Sequence, residues 1–237
     1  MKVQNLFKRY EIKYLLDEKE YQAVLKAFPG RMVDDEYGKT DVCSLYFDTP
    51  DARIIRRSLE KPKYKEKLRL RSYGTVDENG TVFLELKKKY DSVVYKRREK
   101  MTLSGALEFI KNPDSHSQIS SEIAYFLSFY PEVAVKMFIG CKRQAYYGAD
   151  DRDLRITFDA DIVWRDYDLD LTKGLYGNPI TQKNQYLMEI KTAGAMPLWL
   201  ASTLSENGIY PTSFSKYGRA YEALLNNIKL GEVENVV

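Results

Sequence analysis

Lys65-Glu-Lys-Leu-Arg-Leu-Arg-Ser-Tyr-Gly74 is followed by a turn at Asp77-Glu-Asn-Gly80. Then come Thr81-Val-Phe-Leu-Glu-Leu-Lys-Lys-Lys89 and Val93-Val-Tyr-Lys-Arg-Arg-Glu-Lys100. Lys67, Arg69 and Arg71 alternate with Leu68, Leu70 and Ser72, and Glu85 and Lys87 alternate with Leu84 and Leu86. Period-2 alternation predicts strands, and Asn79-Gly80 is a strong hairpin signal. Taken alone, the pattern permits leucines in a core and charges in water.

The same pattern recurs outward from this stretch. Phe7–Leu16 predicts a first strand with Arg9, Glu11 and Lys13 on one face and Tyr10, Ile12 and Tyr14 on the other. Asp17, with Glu20 three residues on, forms a capping-box pattern before the stripe Tyr21, Val24, Leu25 and Phe28, which stops at Pro29-Gly30. Val42–Phe47 predicts a short strand, and Asp48-Thr-Pro-Asp51 caps a helix through about Leu59. Helices are expected at Leu103–Ile110 and Ser120–Phe129, and strands at Val133–Tyr147, Leu154–Trp164 and Tyr186–Thr192. Arg165–Asn184 reads as a polar excursion, Leu198–Glu206 and Lys216–Asn227 as closing helices, and 231–237 as a frayed tail. Residues 1–230 read as one domain, with no linker and no internal repeat.

Composition narrows the classes of function. Of the 237 residues, 44% are hydrophobic and 30% charged, as in an ordinary globular protein, with 19 tyrosines suited to half-buried strand surfaces. Residues 61–100 hold 13 Lys/Arg against 6 Asp/Glu, an excess of +7 in a chain whose net charge is +3, so the remainder carries −4. So concentrated a cationic patch points to an anion held locally rather than to general adhesion to nucleic acid. There is no apolar run long enough for a membrane span and no apolar signal-peptide core, so a cytoplasmic protein is expected. Cys43 and Cys141 lack metal or redox spacing, and the lone His116 excludes His-based zinc chemistry.

Two architectures accommodate these strands: a sandwich with solvated charges, or a closed barrel lined with charge and clad in helices. The recurrence of Glu with Lys at two-residue spacing (Glu11/Lys13, Glu85/Lys87, Glu189/Lys191) favours the barrel. Lys and Arg suit phosphate oxygens, and carboxylates among them suit a divalent cation or an orienting role. A charged lumen therefore implies a polyphosphorylated ligand with Mg2+ or Mn2+.

The ordered series Glu11-Ile-Lys13, Ser44-Leu-Tyr-Phe-Asp-Thr-Pro-Asp51, Lys67-Leu-Arg-Leu-Arg71-Ser-Tyr-Gly74, Phe83-Leu-Glu-Leu-Lys87, Arg155-Ile-Thr-Phe-Asp159 and Met188-Glu-Ile-Lys191 resembles the triphosphate tunnel metalloenzyme (CYTH-like) superfamily. Within it the chain is most similar to the VTC domain, the polyphosphate polymerase module, whose Ser-Lys element matches Ser213-Phe-Ser-Lys-Tyr-Gly218. The resemblance spans about residues 6–225. It implies an α+β fold, an eight-stranded antiparallel β-barrel tunnel with a charged lumen flanked by helices. It also implies transfer of the terminal phosphoryl group of ATP to a growing polyphosphate chain, with release of ADP.

Carried over by position, Lys13, Arg69, Arg71, Lys87, Arg143, Arg155 and Lys216 grip phosphates, Ser215 donates a hydrogen bond, and Glu189 holds Mn2+ or Mg2+. Lys96 and Arg98 share a strand face and join the lining, while Glu11 and Glu85 serve the metal or orient the lysines. Cys141 departs from the family, which carries an aromatic hydroxyl two residues before the Arg143 position. The membrane segment and phosphate-sensing domain of eukaryotic relatives are not expected here, so coupling to transport is not supported, although a separate partner could supply it. Hydrolysis of inorganic or nucleoside triphosphate and non-catalytic polyphosphate binding are the alternatives. Tyr46 and Phe47 are expected to pack rather than to stack on a base.

Overall fold

The computed structural model describes residues 10–91 and 93–234. Its elements, in chain order, are β1 (Tyr10–Leu16), α1 (Glu18–Lys26), β2 (Met32–Asp48), α2 (Arg53–Leu59), β3 (Tyr64–Tyr73), β4 (Thr81–Tyr90) and β5 (Val93–Thr102). There follow α3 (Leu103–Lys111), α4 (Gln118–Phe129), β6 (Ala134–Gly148), β7 (Arg155–Arg165), β8 (Asn178–Pro179), β9 (Tyr186–Thr192), α5 (Leu198–Glu206) and α6 (Lys216–Glu234). The ladder runs β1-β9-β7-β6-β2-β3-β4-β5, eight strands, with the two-residue β8 paired to β7. β1 with β9, β9 with β7, β7 with β8, and β2 through β5 in succession all pair antiparallel. Phe7–Arg9 of the expected first strand and 235–237 of the expected tail lie outside the described residues, and α6 continues through Glu234.

The chain divides into two compact units. The first comprises the described residues of Met1–Thr40, Cys141–Ile162 and Thr181–Phe214. The capping box at its α1 is present: Asp17 accepts from the Glu20 amide and Glu20 accepts from the Asp17 amide, at 2.8 and 2.9 Å. Tyr21, Val24 and Phe28 meet Phe158, Met188, Ile190, Leu200 and Leu204 in one buried cluster. The apolar residues of β1, β9 and β7 are thereby turned away from their charged neighbours, as alternation dictates.

The second unit comprises the described residues of Asp41–Gly140, Val163–Ile180 and Ser215–Val237. Leu68, Leu70, Leu84 and Leu86 are fully buried in a cluster with Leu103, Ala106 and Phe109 of α3 and Ile123 and Phe126 of α4. The helical insert therefore covers the leucine face, and burying each leucine contributes roughly 1.5–3 kcal/mol. Thr102 caps α3 through the Gly105 amide, and Ser117 caps α4 through Ser120.

One expectation about extent is corrected. The short strand expected at Val42–Phe47 is part of a 17-residue strand starting at Met32, because its acidic first half has cross-strand partners: Asp34 accepts from Gln144 and Asp35 from Arg155. The turn expected at Asp77–Gly80 is present within the connection 74–80 between β3 and β4; Asp77 accepts from the amides of Asn79 and Gly80. The polar excursion after β7 is organised by fully buried Arg165. It donates to the carbonyls of Asp168, Asp170, Gly174 and Tyr176, and its guanidinium lies 3.5 Å from the Phe138 ring centroid and 4.1 Å from that of Tyr176. Cys43 and Cys141 are buried free thiols, and burial pushes Cys43 up to about 11.

Candidate functional site

In the second unit the sheet register sorts the charges into rows. Lys67 stands opposite Lys87, which stands opposite Lys96. In the next row Tyr46 faces Arg69, then Glu85, then Arg98, and in the third Ser44 faces Arg71. Glu85 is the electrostatic centre. Its Oε2 takes both Nε and Nη2 of Arg69 at 2.7 Å and lies 3.9 Å from Arg71, while its Oε1 lies 2.6 Å from Lys96 and 3.2 Å from Arg98. The Glu85 side chain is 1% exposed, against 18% for Arg69 and 10% for Arg71. Arg69 and Arg71 are thus drawn inward, whereas the side chains of Lys96 and Arg98 stay 41% and 38% exposed.

The protonation states follow from that crowding. Burial works to protonate Glu85, but Arg69, Arg71 and Lys96 overcome it and hold the carboxyl far below the usual range. Burial, with repulsion from Arg69 and Arg71, brings Lys96 down to about 8 despite Glu85. Burial would raise Tyr46, yet Arg69, Arg71 and Lys67 bring it down to about 8. Tyr46 packs as expected, stacked on Tyr217 with ring centroids 4.8 Å apart. Its hydroxyl also accepts from Arg69 Nη1 at 3.0 Å, a role that the sequence pattern did not single out. Arg71 donates to Ser44 Oγ at 3.2 Å, Arg98 donates to the Tyr73 hydroxyl and lies over Phe83, and Lys67 donates to Ser215 Oγ at 3.1 Å. Lys216 opens α6 one residue later and is half-buried.

In the first unit the charges are balanced. Glu11 stands opposite Lys191, which stands opposite Arg155; Lys13 stands opposite Glu189, which stands opposite Thr157. The Lys13 ammonium lies 3.2 Å from Glu189 and 3.7 Å from Glu11, and donates to the Phe214 carbonyl at 3.0 Å. Lys191 lies 3.6 Å from Glu189, and burial lowers its pKa against the pull of that carboxylate and of Glu11. Arg143 is engaged bidentately by Asp159, at 2.6 and 2.7 Å, and the carboxylate is fully buried. Burial opposes the Arg143 charge, but Asp159 outweighs it and keeps the guanidinium ionised. Arg155 is half-exposed and held by Asp35 at 2.6 Å.

The sequence-based site residues thus fall into two groups: Arg69, Arg71, Lys87, Lys96, Arg98, Glu85, Ser215 and Lys216 in one unit, and Glu11, Lys13, Arg143, Arg155 and Glu189 in the other. Asp159, Lys191 and Lys67 belong with them and were legible only as members of the alternating faces. His116 sits 3.8 Å from Glu99 on an exposed side chain, outside both groups.

Among the described residues no group of three or more His, Cys, Asp or Glu could hold a metal alone. Glu11 and Glu189 nevertheless converge on Lys13, and the buried Thr157 hydroxyl, opposite Glu189, has no hydrogen-bond partner among them. Two carboxylates plus phosphate oxygens are what Mg2+ commonly takes, so the donor set fits a cation that arrives with a polyphosphate. Among the described residues no helix is long and apolar enough to cross a membrane.

Several solved structures share the fold. A candidate adenylyl cyclase from Hippeastrum, described as having a dominant triphosphatase activity, is 19% identical; the match covers 90% of this chain and 95% of that one, with a TM-score of 0.55. A candidate adenylate cyclase from Bacillus halodurans is 12% identical over 88% of this chain and 95% of its own, with a TM-score of 0.53. One from Vibrio parahaemolyticus is 12% identical over 91% and 98%, with a TM-score of 0.52. No curated protein matches the sequence. The VTC domain model matches residues 8–225, nearly the whole described chain, so the α+β antiparallel architecture is the triphosphate tunnel fold and the chain belongs to the VTC domain family.

Proposed function

We propose that this chain, as a single VTC-like tunnel domain over residues 1–230, transfers the terminal phosphoryl group of ATP to a growing inorganic polyphosphate chain and releases ADP. The observation that carries the reading is the cation face of β3, β4 and β5. There Arg69, Arg71, Lys96 and Arg98 surround the single carboxylate of Glu85, with Lys67 and Lys87 in register beside them. Phosphoryl transfer passes through a loose transition state with charge on peripheral oxygens, so positioned cations matter more than a covalent nucleophile. Glu85 fixes the guanidinium planes before any ligand arrives, which lowers the reorganisation needed when phosphate oxygens bind. The acceptor, a terminal phosphate, is already ionised and needs little help from a general base; this agrees with a chain whose one histidine lies elsewhere.

Lys13, Arg143, Arg155, Lys87, Ser215 and Lys216 are assigned to phosphate on the same reading. Glu189, with Glu11, would hold Mn2+ or Mg2+, which supplies charge neutralisation at the phosphate oxygens when bound. ATP and polyphosphate are then the partners, a cytoplasmic location follows, and a separate membrane protein would provide any translocation. Hydrolysis of inorganic or nucleoside triphosphate is the second reading, favoured by the Glu11–Lys13–Glu189 group and by the activity described for the Hippeastrum protein of the same fold.

The test is incubation of purified protein with ATP and Mn2+ or Mg2+, with products resolved on gels and by phosphate release. Long polymer with ADP is the expected result. Orthophosphate without polymer overturns it in favour of hydrolysis, and unchanged nucleotide with tight polyphosphate binding leaves a non-catalytic binding module.

A further inference from the structure

We propose that Asp48 and Tyr217 form a positioning pair that holds the start of α6, with Ser215 and Lys216, beside the cation rows of β3. The inference rests on the phosphate-binding reading above and adds two residues that this reading does not use. Asp48 is fully buried. Its Oδ1 accepts from the amides of Thr49 and Ile54, each at 2.8 Å, and its Oδ2 accepts from the Ile55 amide and the Tyr217 hydroxyl, each at 2.9 Å. A carboxylate satisfied this way is an anchor, not a ligand: its charge rests on three backbone amides and the neighbouring Thr49 hydroxyl, and Tyr217 is the distant side chain it fixes.

What Tyr217 fixes is α6. Its ring stacks on Tyr46, whose hydroxyl accepts from Arg69, and the Lys67 ammonium lies 5.9 Å from the Tyr217 ring centroid. Lys67 also donates to Ser215 Oγ, which accepts from the Gly218 amide and so caps the helix. Gly218 faces α2: a Cβ there would stand 3.0 Å from Leu59 Cδ2 and 3.2 Å from Ser215 Cβ. The helix start is thus seated by contacts to α2, β2 and β3 within one unit, and the Tyr217 hydroxyl, with the Lys67–Ser215 contact, fixes rotation about the helix axis. Burial, then the Asp48 charge, keeps that hydroxyl protonated, so it remains a donor. A rotation of α6 would move Ser215 and Lys216 together, and a misplacement near 1 Å is enough to lower activity by about a hundredfold.

Tripolyphosphate binding by calorimetry, with thermal midpoints alongside, tests the pair through a double-mutant cycle of Tyr217→Phe and Lys216→Ala. Tyr217→Phe keeps the ring stack and removes only the hydroxyl. The expected result is about tenfold weaker binding in the wild-type background and a clearly smaller loss in the Lys216→Ala background, where only the share acting through Ser215 remains. Equal losses in both backgrounds, or unchanged binding in Tyr217→Phe, overturn the inference while leaving the functional reading intact. Absence of tripolyphosphate binding by the wild-type protein overturns that reading and this inference with it. Should Tyr217→Phe not fold, Asp48→Asn, which keeps an acceptor oxygen, carries the same cycle with the same criteria.

Discussion

The charged face of β3–β5 and the charged face of β1–β9–β7 are built by the same alternation, yet they are balanced differently. Around Glu85 the cations outnumber the carboxylate: Arg69, Arg71, Lys96 and Arg98 share it, with Lys67 and Lys87 alongside. On the other face Lys13 and Lys191 meet Glu11 and Glu189, Arg143 meets Asp159, and Arg155 meets Asp35. An excess of positive charge around a buried carboxylate repels itself and is relieved by a polyanion, whereas matched pairs are already neutralised. The two faces therefore answer differently to the loss of one arginine.

The widest separation is expected between Arg69→Ala and Arg143→Ala. Removing Arg69 leaves Glu85 with Lys96, Arg98 and Arg71, so the thermal midpoint should hold or rise while turnover and tripolyphosphate binding fall at least about a hundredfold. Removing Arg143 takes the bidentate partner from a fully buried Asp159 carboxylate and should destabilise the fold by about 3–5 kcal/mol, read by denaturant unfolding. Equal stability losses in the two variants would end the distinction between the faces.

Glu85→Gln sharpens the same comparison by enlarging the excess. The four cations lose the carboxylate they share, so stability should fall at low salt and recover on adding salt or tripolyphosphate. Tripolyphosphate should bind about tenfold more tightly, since it no longer competes with an internal anion for those cations. Weaker binding with unchanged stability would mean that Glu85 contributes to the ligand site directly, not as a counter-charge.

What could be read from the chain alone divides along a physical line. Sidedness of strands depends on near neighbours, so the Leu68/Leu70 and Arg69/Arg71 faces were legible, as were the Asp17 and Asp48 caps, whose partners lie within seven residues. Tertiary partners were not. Asp34-Asp35-Glu36 lies outside the expected Val42–Phe47 strand but is strand, because Gln144 and Arg155 meet it from 110 and 120 positions away. Arg165 reads as the start of a solvated excursion, yet the loop it opens folds back to supply four carbonyls and a ring. In the site, the types and spacing of Arg69, Arg71, Lys96 and Arg98 were visible, whereas the Tyr46 hydroxyl on Arg69 and the Asp159 grip on Arg143 needed the register.

The smallest effect separates the faces by pH. On the cation-rich face two groups titrate near 8: Lys96, lowered by burial and by Arg69 and Arg71, and Tyr46, lowered by Arg69, Arg71 and Lys67 against the effect of burial. As pH rises through about 8, Lys96 loses a positive charge and Tyr46 gains a negative one, so both changes reduce the attraction for phosphate. Affinity for long polyphosphate, whose internal groups stay ionised, should fall by up to about tenfold for each of these two titrations between pH 7 and 9. Linkage fixes the converse: bound polyphosphate favours the Lys96 ammonium and the neutral Tyr46 phenol, raising both pKa values and drawing protons onto the protein. Phenolate absorbance near 295 nm should accordingly show a step around pH 8 in the free protein that moves upward with polyphosphate and disappears in Tyr46→Phe. An affinity flat across this range, or a step that survives Tyr46→Phe, would mean that the cation excess is not felt at Tyr46, and the contrast between the two faces would lose its electrostatic basis.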